Sequence, residues 1–189
     1  CLFIFNSKTI LISLINNFNY TNNFFLYKNF FWFIDLNGKL VKFDKHKETF
    51  ERYTPDDDSK IITISKYKNT IWAVNSQNEI ISFDTSSNTF TVHETSNSPD
   101  FVISSANQIK VYDKWVWLGS TSQGIALIDL KTKNIDVFNE RNLLTNNYIN
   151  AIVLNEQGQA WCSTNKGISF ISVLNFTKPI PCFNPNTLI

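Results

Sequence analysis

Methionine is absent from this 189-residue chain, glycine and proline occur five times each, cysteine three times and histidine twice. Each scarcity closes a route. Without Met there is no initiator, so the sequence is expected to be a segment of something longer. Five dispersed glycines make no phosphate-cradling loop and no nucleophile elbow, and no kinase signature appears. His46 and His93, with Cys1, Cys162 and Cys182, show no metal-ligand spacing, so neither a metal site nor a cofactor is expected. Basic and acidic side chains number 17 and 16, a net charge of +1, which offers no global field to attract nucleic acid or an anionic membrane. Long apolar runs are missing too. The stretch from Ile10 to Ile15 stops at Asn16 and Asn17, far short of the ~20 residues a membrane span needs. Lys8 interrupts the amino-terminal apolar stretch and no small-residue cleavage site follows, which is unlike a signal peptide.

What the chain has instead is β-forming residues in a repeat. Aromatics make up 15% of the sequence, 17 of them Phe, and they crowd with β-branched residues into short patterned runs, which favours sheet over helix. Trp32, Trp72, Trp117 and Trp161 are spaced 40, 45 and 44 residues apart. Asp44, Asp84 and Asp129 follow the first three at 12 residues, preceded by Phe43, Phe83 and Ile128. Phe50, Phe90 and Ile135 come at 18 residues, and Tyr53, His93 and Phe138 close the units at 21. A period of roughly 40–45 residues built from four short strands is the mark of propeller blades.

The expected fold is therefore all-β: an incomplete β-propeller of about four to five four-stranded antiparallel blades, all one domain. Residues 1–20 align as a partial blade, through Phe3 to Ser7 and Ile12 to Leu14. Residues 22–53, 54–93, 94–138 and 139–175 form four further blades. Residues 176–189, with Pro179, Pro181 and Pro185, read as a linker or a degenerate last strand.

Repetition also weighs against chemistry at the repeated residues. A Trp required in every blade packs between blades, so Trp32, Trp72, Trp117 and Trp161 are assigned to structure. Trp115 stands outside the register but shares a strand face with Trp117, leaving core packing or ligand contact open. Asp44, Asp84 and Asp129 each open a tight turn where a carboxylate accepts backbone N–H bonds, and equivalent positions around a ring do not converge as a catalytic pair must. No catalytic residues are expected. His93 reads as an edge aromatic, His46 as solvated, Cys162 as a small buried thiol, and Asp56-Asp57-Asp58 as a solvated loop in preference to a Ca²⁺ site. Binding falls to connecting loops. There Ser122, Gln123, Arg141, Asn146 and Asn147, with Trp115, are the candidate ligand contacts, offering planar donors and acceptors to sugar hydroxyls or a carboxylate.

The fourth unit carries a more specific pattern. Asn142-Leu143-Leu144 through Ala151-Ile152 leads to Asn155-Glu156-Gln157-Gly158-Gln159-Ala160-Trp161-Cys162-Ser163-Thr164-Asn165-Lys166-Gly167-Ile168. This closely resembles the two-component regulator propeller repeat. The third unit shares Trp117-Leu118-Gly119-Ser120, Gly124-Ile125 and Ile128-Asp129, and the first shares Gly38-Lys39-Leu40 and Phe43-Asp44. The usual Gly-Thr after Trp is replaced by Phe33-Ile34 and Ala73-Val74 in the first two units. The resemblance implies the periplasmic sensor region of a hybrid two-component histidine kinase that responds to oligosaccharides. It also implies partners, the remaining blades and downstream signalling domains of the same protein; separately, the raw sheet edges and apolar flank of a partial ring favour association, which leaves a homodimer open. Kinase activity would reside in domains this chain does not contain. Two other readings stay open, a propeller scaffold for protein–protein interaction and a propeller polysaccharide lyase or hydrolase.

Overall fold

A computed structural model describes residues 24–96 and 98–172. The expected partial blade at 1–20, Cys1, Cys182 and the proline-bearing tail lie outside the described residues. Four antiparallel sheets follow one another along the chain, each a meander in which neighbours in sequence are neighbours in space. Blade 1 holds β1 (Phe24–Tyr27), β2 (Phe30–Ile34), β3 (Leu40–Asp44) and β4 (Thr49–Tyr53); blade 2 holds β5 (Ile61–Tyr67), β6 (Thr70–Asn75), β7 (Ile80–Asp84) and β8 (Thr89–His93). Blade 3 holds β9 (Ala106–Tyr112), β10 (Trp115–Ser120), β11 (Ile125–Asp129) and β12 (Ile135–Phe138); blade 4 holds β13 (Ile149–Leu154), β14 (Ala160–Thr164) and β15 (Gly167–Ile171). The only helical turn among the described residues is a 3-10 turn, Ile103–Ser105. The architecture is an incomplete propeller. Four strands were expected in every blade; the described residues, which end at 172, give blade 4 three.

The turns explain why strands stop where they do. Asp44 Oδ1 accepts the N–H groups of His46 and Lys47 at 2.8 and 3.1 Å, Asp84 Oδ1 those of Ser86 and Ser87 at 2.6 and 3.3 Å, and Asp129 Oδ1 those of Lys131 and Thr132 at 2.8 and 3.2 Å. Four residues after each Asp the backbone turns left-handed, at Glu48, Asn88 and Lys133. These backbone donors hold the Asp44 and Asp84 carboxyls below the usual range. At Asp129 burial pushes the carboxyl up, but the Lys114 ammonium at 2.6 Å and the two backbone donors outweigh it and leave it lowered. A second set of turns uses the same device: Asp35, Asn75 and Asn155 each accept the N–H groups two and four residues ahead at 2.9–3.1 Å.

The cores lie between blades. Alternation gives every sheet two apolar faces, and the buried residues fall into three clusters, one per boundary. Trp32, Ile34 and Leu40 of blade 1 meet Ile64, Ile71, Ala73, Ile81 and Phe83 of blade 2. Trp72, Val74 and Ile80 of blade 2 meet Ile109, Val116, Leu118, Ala126 and Ile128 of blade 3. Trp117, Ile125 and Leu127 of blade 3 meet Ile149, Ile152, Ala160, Cys162 and Ile171 of blade 4. Each wedged Trp is covered by the aromatic that closes its own unit: Tyr53 stacks on Trp32 with ring centroids 6.0 Å apart, His93 lies on Trp72 at 4.6 Å, and Phe138 packs into the cluster of Trp117.

Trp161 occupies the same repeat position in blade 4 and is 51% exposed.

Candidate ligand-facing rim

Strand direction assigns the loops to two rims. The turns β2–β3, β6–β7, β10–β11 and β14–β15, with the blade-to-blade connections, share one rim; the β1–β2, β5–β6, β9–β10 and β13–β14 turns lie on the other. Five of the six candidate contacts fall on the first rim. Ser122 and Gln123 are in the β10–β11 turn, while Arg141, Asn146 and Asn147 are in the connection from β12 to β13. The Gly124 N–H donates to the Asn147 carbonyl at 3.1 Å and joins the two loops. Gly124 has φ +83°, and a Cβ there would meet the Phe138 carbonyl oxygen at 2.2 Å, so glycine is required at the junction.

The connection is tightly built. The Asn139 carbonyl accepts the N–H groups of Asn142, Leu143 and Leu144, which seats Leu144 in the core between blades 3 and 4. Asn142 bridges the Asn139 N–H and the Val137 carbonyl, and the Asn139 side chain accepts the Arg141 N–H at 2.9 Å. Asn147 Oδ1 accepts the Glu140 N–H at 2.8 Å; Asn146 Oδ1 accepts the Tyr148 N–H at 3.0 Å and its amide donates to Glu140. Thr145 is anchored on Thr164 Oγ1 at 2.9 Å and on Ser169. The amide oxygens of Asn146 and Asn147 therefore serve the loop's own backbone. Arg141 is exposed, and its guanidinium forms no ion pair with a carboxylate of the described residues.

Gln123 is similarly committed. Its Oε1 accepts the Val102 N–H at 3.0 Å and the Ser105 hydroxyl at 2.6 Å, fixing the connection between blades 2 and 3. Ser122 is exposed beside it, held by its N–H on Ser120 Oγ. Trp115 is not with the others. It sits at the opposite end of β10, roughly 17 Å away at ~3.3 Å per residue, opposite Tyr112 and Asp129, with the Lys114 ammonium 4.5 Å from its ring centroid. It packs against the core between blades 3 and 4.

Two features escaped sequence reasoning. Glu140 gathers the Asn146 amide and, at 3.9 Å, the Lys166 ammonium, and is the acidic hub of the connection. On the other rim Tyr27, Tyr67 and Tyr112 end the innermost strands. The Tyr27 hydroxyl donates to Asn69 Oδ1 and the Tyr112 hydroxyl to the Glu156 carbonyl, both at 2.7 Å, each reaching the next blade's first turn. Their spacing of 40 and 45 residues matches that of the tryptophans and was there to be read.

Among the described residues no group of three or more His, Cys, Asp or Glu is placed to hold a metal ion, and no helix is long and apolar enough to cross a membrane. Cys162 is buried, which pushes its thiol up to about 12, away from thiolate reactivity.

No protein-family model and no curated protein matches the chain. Solved structures do. The extracellular domain of a one-component system from B. thetaiotaomicron aligns with a TM-score of 0.63 at 20% identity, over 94% of this chain and 27% of that one. The extracellular domain of a hybrid two-component system from the same organism aligns with a TM-score of 0.61 at 17% identity, over 77% of this chain and 21% of that one. YCF48 bound to a D1 peptide aligns with a TM-score of 0.56 at 14% identity, over 86% and 54%. The chain thus spans about a quarter of the length of the two bacterial domains. At these identities the likeness establishes a shared propeller fold.

Proposed function

We propose that the chain is a non-catalytic, ligand-sensing propeller segment of a hybrid two-component signalling protein, lying on the periplasmic side and responding to oligosaccharides. One observation carries the reading: the β12–β13 connection and the β10–β11 turn are knitted into one rigid surface that leaves the Arg141 guanidinium outside its own bonding. A pre-organised loop pair with a planar cation and amide N–H donors suits hydroxyls and a carboxylate. The repeated carboxylates Asp44, Asp84 and Asp129 are spent on turns, which supports binding without turnover. The likeness to two extracellular domains of bacterial signalling systems points the same way. Ligand binding would be relayed as rigid-body movement of the blades against a downstream domain.

The test is calorimetric titration with neutral and uronate-bearing oligosaccharides. Binding that Arg141→Ala and Asn147→Ala each weaken at least tenfold supports the reading. Binding indifferent to both, or cleavage of the glycan, contradicts it. The second reading, a scaffold for peptides, is motivated by the likeness to a protein solved with a peptide bound; an extended peptide captured on the same rim in place of a glycan would favour it.

A further inference from the structure

Blade 3 breaks the repeat at its innermost strand. The residue opposite the Trp in register is Phe25 in blade 1, Ser65 in blade 2 and Val153 in blade 4; in blade 3 it is Lys110. Small, apolar and aromatic side chains all satisfy this slot, so the packing of a blade requires no cation there. Gln108, two residues earlier and opposite Gly119, shares the sheet face with Lys110. That face is the one Trp117 turns towards blade 4.

Neither side chain is answered from within. Lys110 is half-buried, and among the described residues its ammonium has no ion pair or hydrogen bond. None of the strands around it, β5, β9, β10, β13 or β14, carries an Asp or Glu. Burial without a counter-charge holds the ammonium below the ordinary lysine range. Gln108 is only 8% exposed, yet its amide makes no hydrogen bond among the described residues, and the amide tip is not sealed from solvent. A charge and an amide without partners at such depth destabilise the fold unless something from outside meets them. β9 is also the edge strand of its sheet, so alternate backbone N–H groups along it face the axis with no strand to accept them.

The geometry points to a small-anion site at the inner edge of the seam between blades 3 and 4, where the Lys110 ammonium and the Gln108 amide N–H hold a monocarboxylate. One unopposed ammonium matches one negative charge, the amide donates to the second carboxylate oxygen, and the free-edge N–H groups are donors of the same kind. A sulfate or phosphate dianion would bring a second charge that no cation of these strands meets. The site does not use the Arg141 rim, and it does not rest on the sensing assignment.

Saturation-transfer NMR on the 189-residue chain with propionate tests it, with propionamide as the uncharged analogue of the same shape. The expected result is saturable transfer to propionate, none to propionamide, and displacement of propionate by acetate but not by sulfate at equal ionic strength. Lys110→Met weakens binding at least tenfold and Gln108→Leu at least threefold. Lys68→Met, at an exposed lysine of the β5–β6 turn, leaves it unchanged. Urea unfolding without the anion is the second measurement. Lys110→Met keeps the fold and raises the midpoint, because an unanswered charge gives way to an apolar side chain of similar length. Absence of saturable binding, which would mean that water alone meets the two groups, overturns the proposal. So does binding that survives Lys110→Met, that falls equally with Lys68→Met, or that propionamide or sulfate matches. A midpoint lowered by Lys110→Met also overturns it, since the ammonium would then have its partner within the protein.

Discussion

Asn107 donates its side-chain amide to the Ile149 carbonyl at 3.0 Å, across the boundary between blades 3 and 4. It can do so because Asn107 is the extra residue of a β-bulge, where Ser120 pairs with Ala106 and Gly119 with Gln108. Matching irregularities occur at Ile62 in β5 and Asn150 in β13. A bulge re-aims one side chain without ending the strand. At the start of the innermost strands these bulges turn Ile62 and Asn107 towards the next blade, while Asn150 stays in its own blade on Asn165.

Replacing Asn107 with Ala should cost about 1 kcal/mol, the usual net worth of one such bond, with more if the Ile149 carbonyl is left unpaired. Asn150→Ala, which removes an exposed bond to Asn165 within blade 4, should cost well under that. Urea midpoints with unchanged slopes would show the difference. Equal effects would mean that the bulge is not a joint between blades.

His93 sets a pH dependence. It is half-buried against Trp72, hydrogen-bonds Ser82 Oγ at 2.7 Å, and burial holds its pKa below the ordinary 6.5. A histidine that is harder to protonate when folded contributes stability above its unfolded pKa and loses it as pH falls through the folded value. Urea stability should therefore decline from about pH 6.5 downwards, above the window where the lowered carboxylates begin to matter. His93→Phe, the residue type used at Phe138, should flatten that decline. A slope unchanged by the substitution would place its origin elsewhere.

Cys162 should behave as an inert core thiol. In a variant with Cys1 and Cys182 changed to Ser, a thiol reagent at pH 8 should label it only as fast as the protein opens, and at once in denaturant. Prompt labelling of the native chain would contradict its burial between blades 3 and 4.

Much of the fold was legible because the repeat writes packing and turn chemistry at fixed offsets. The Trp slot, the Asp that ends the third strand and the closing aromatic each have a physical task in blades 1 to 3, so their recurrence reveals the blade. Context is what a repeat leaves out. Trp161 has the right position, but position says nothing about whether a neighbour stands beside it. Trp115 is a candidate contact because it stands outside the repeat register, which is silent about which end of the strand meets which rim. Gln123 and Asn146 offer themselves as ligand acceptors, yet their amide oxygens already accept from Val102, Ser105 and Tyr148. Polar loop residues serve their own backbone first, and that is invisible until the loop is folded.

The most direct test of the account is the stability of four single variants, Trp32, Trp72, Trp117 and Trp161 each changed to Ala, measured by urea unfolding at concentrations where the chain is monomeric. The account predicts losses of about 3–5 kcal/mol for the first three, as for any large aromatic taken from a core, and under about 1 kcal/mol for Trp161, whose indole is half in water. Four equal losses, or the largest loss at Trp161, would contradict it.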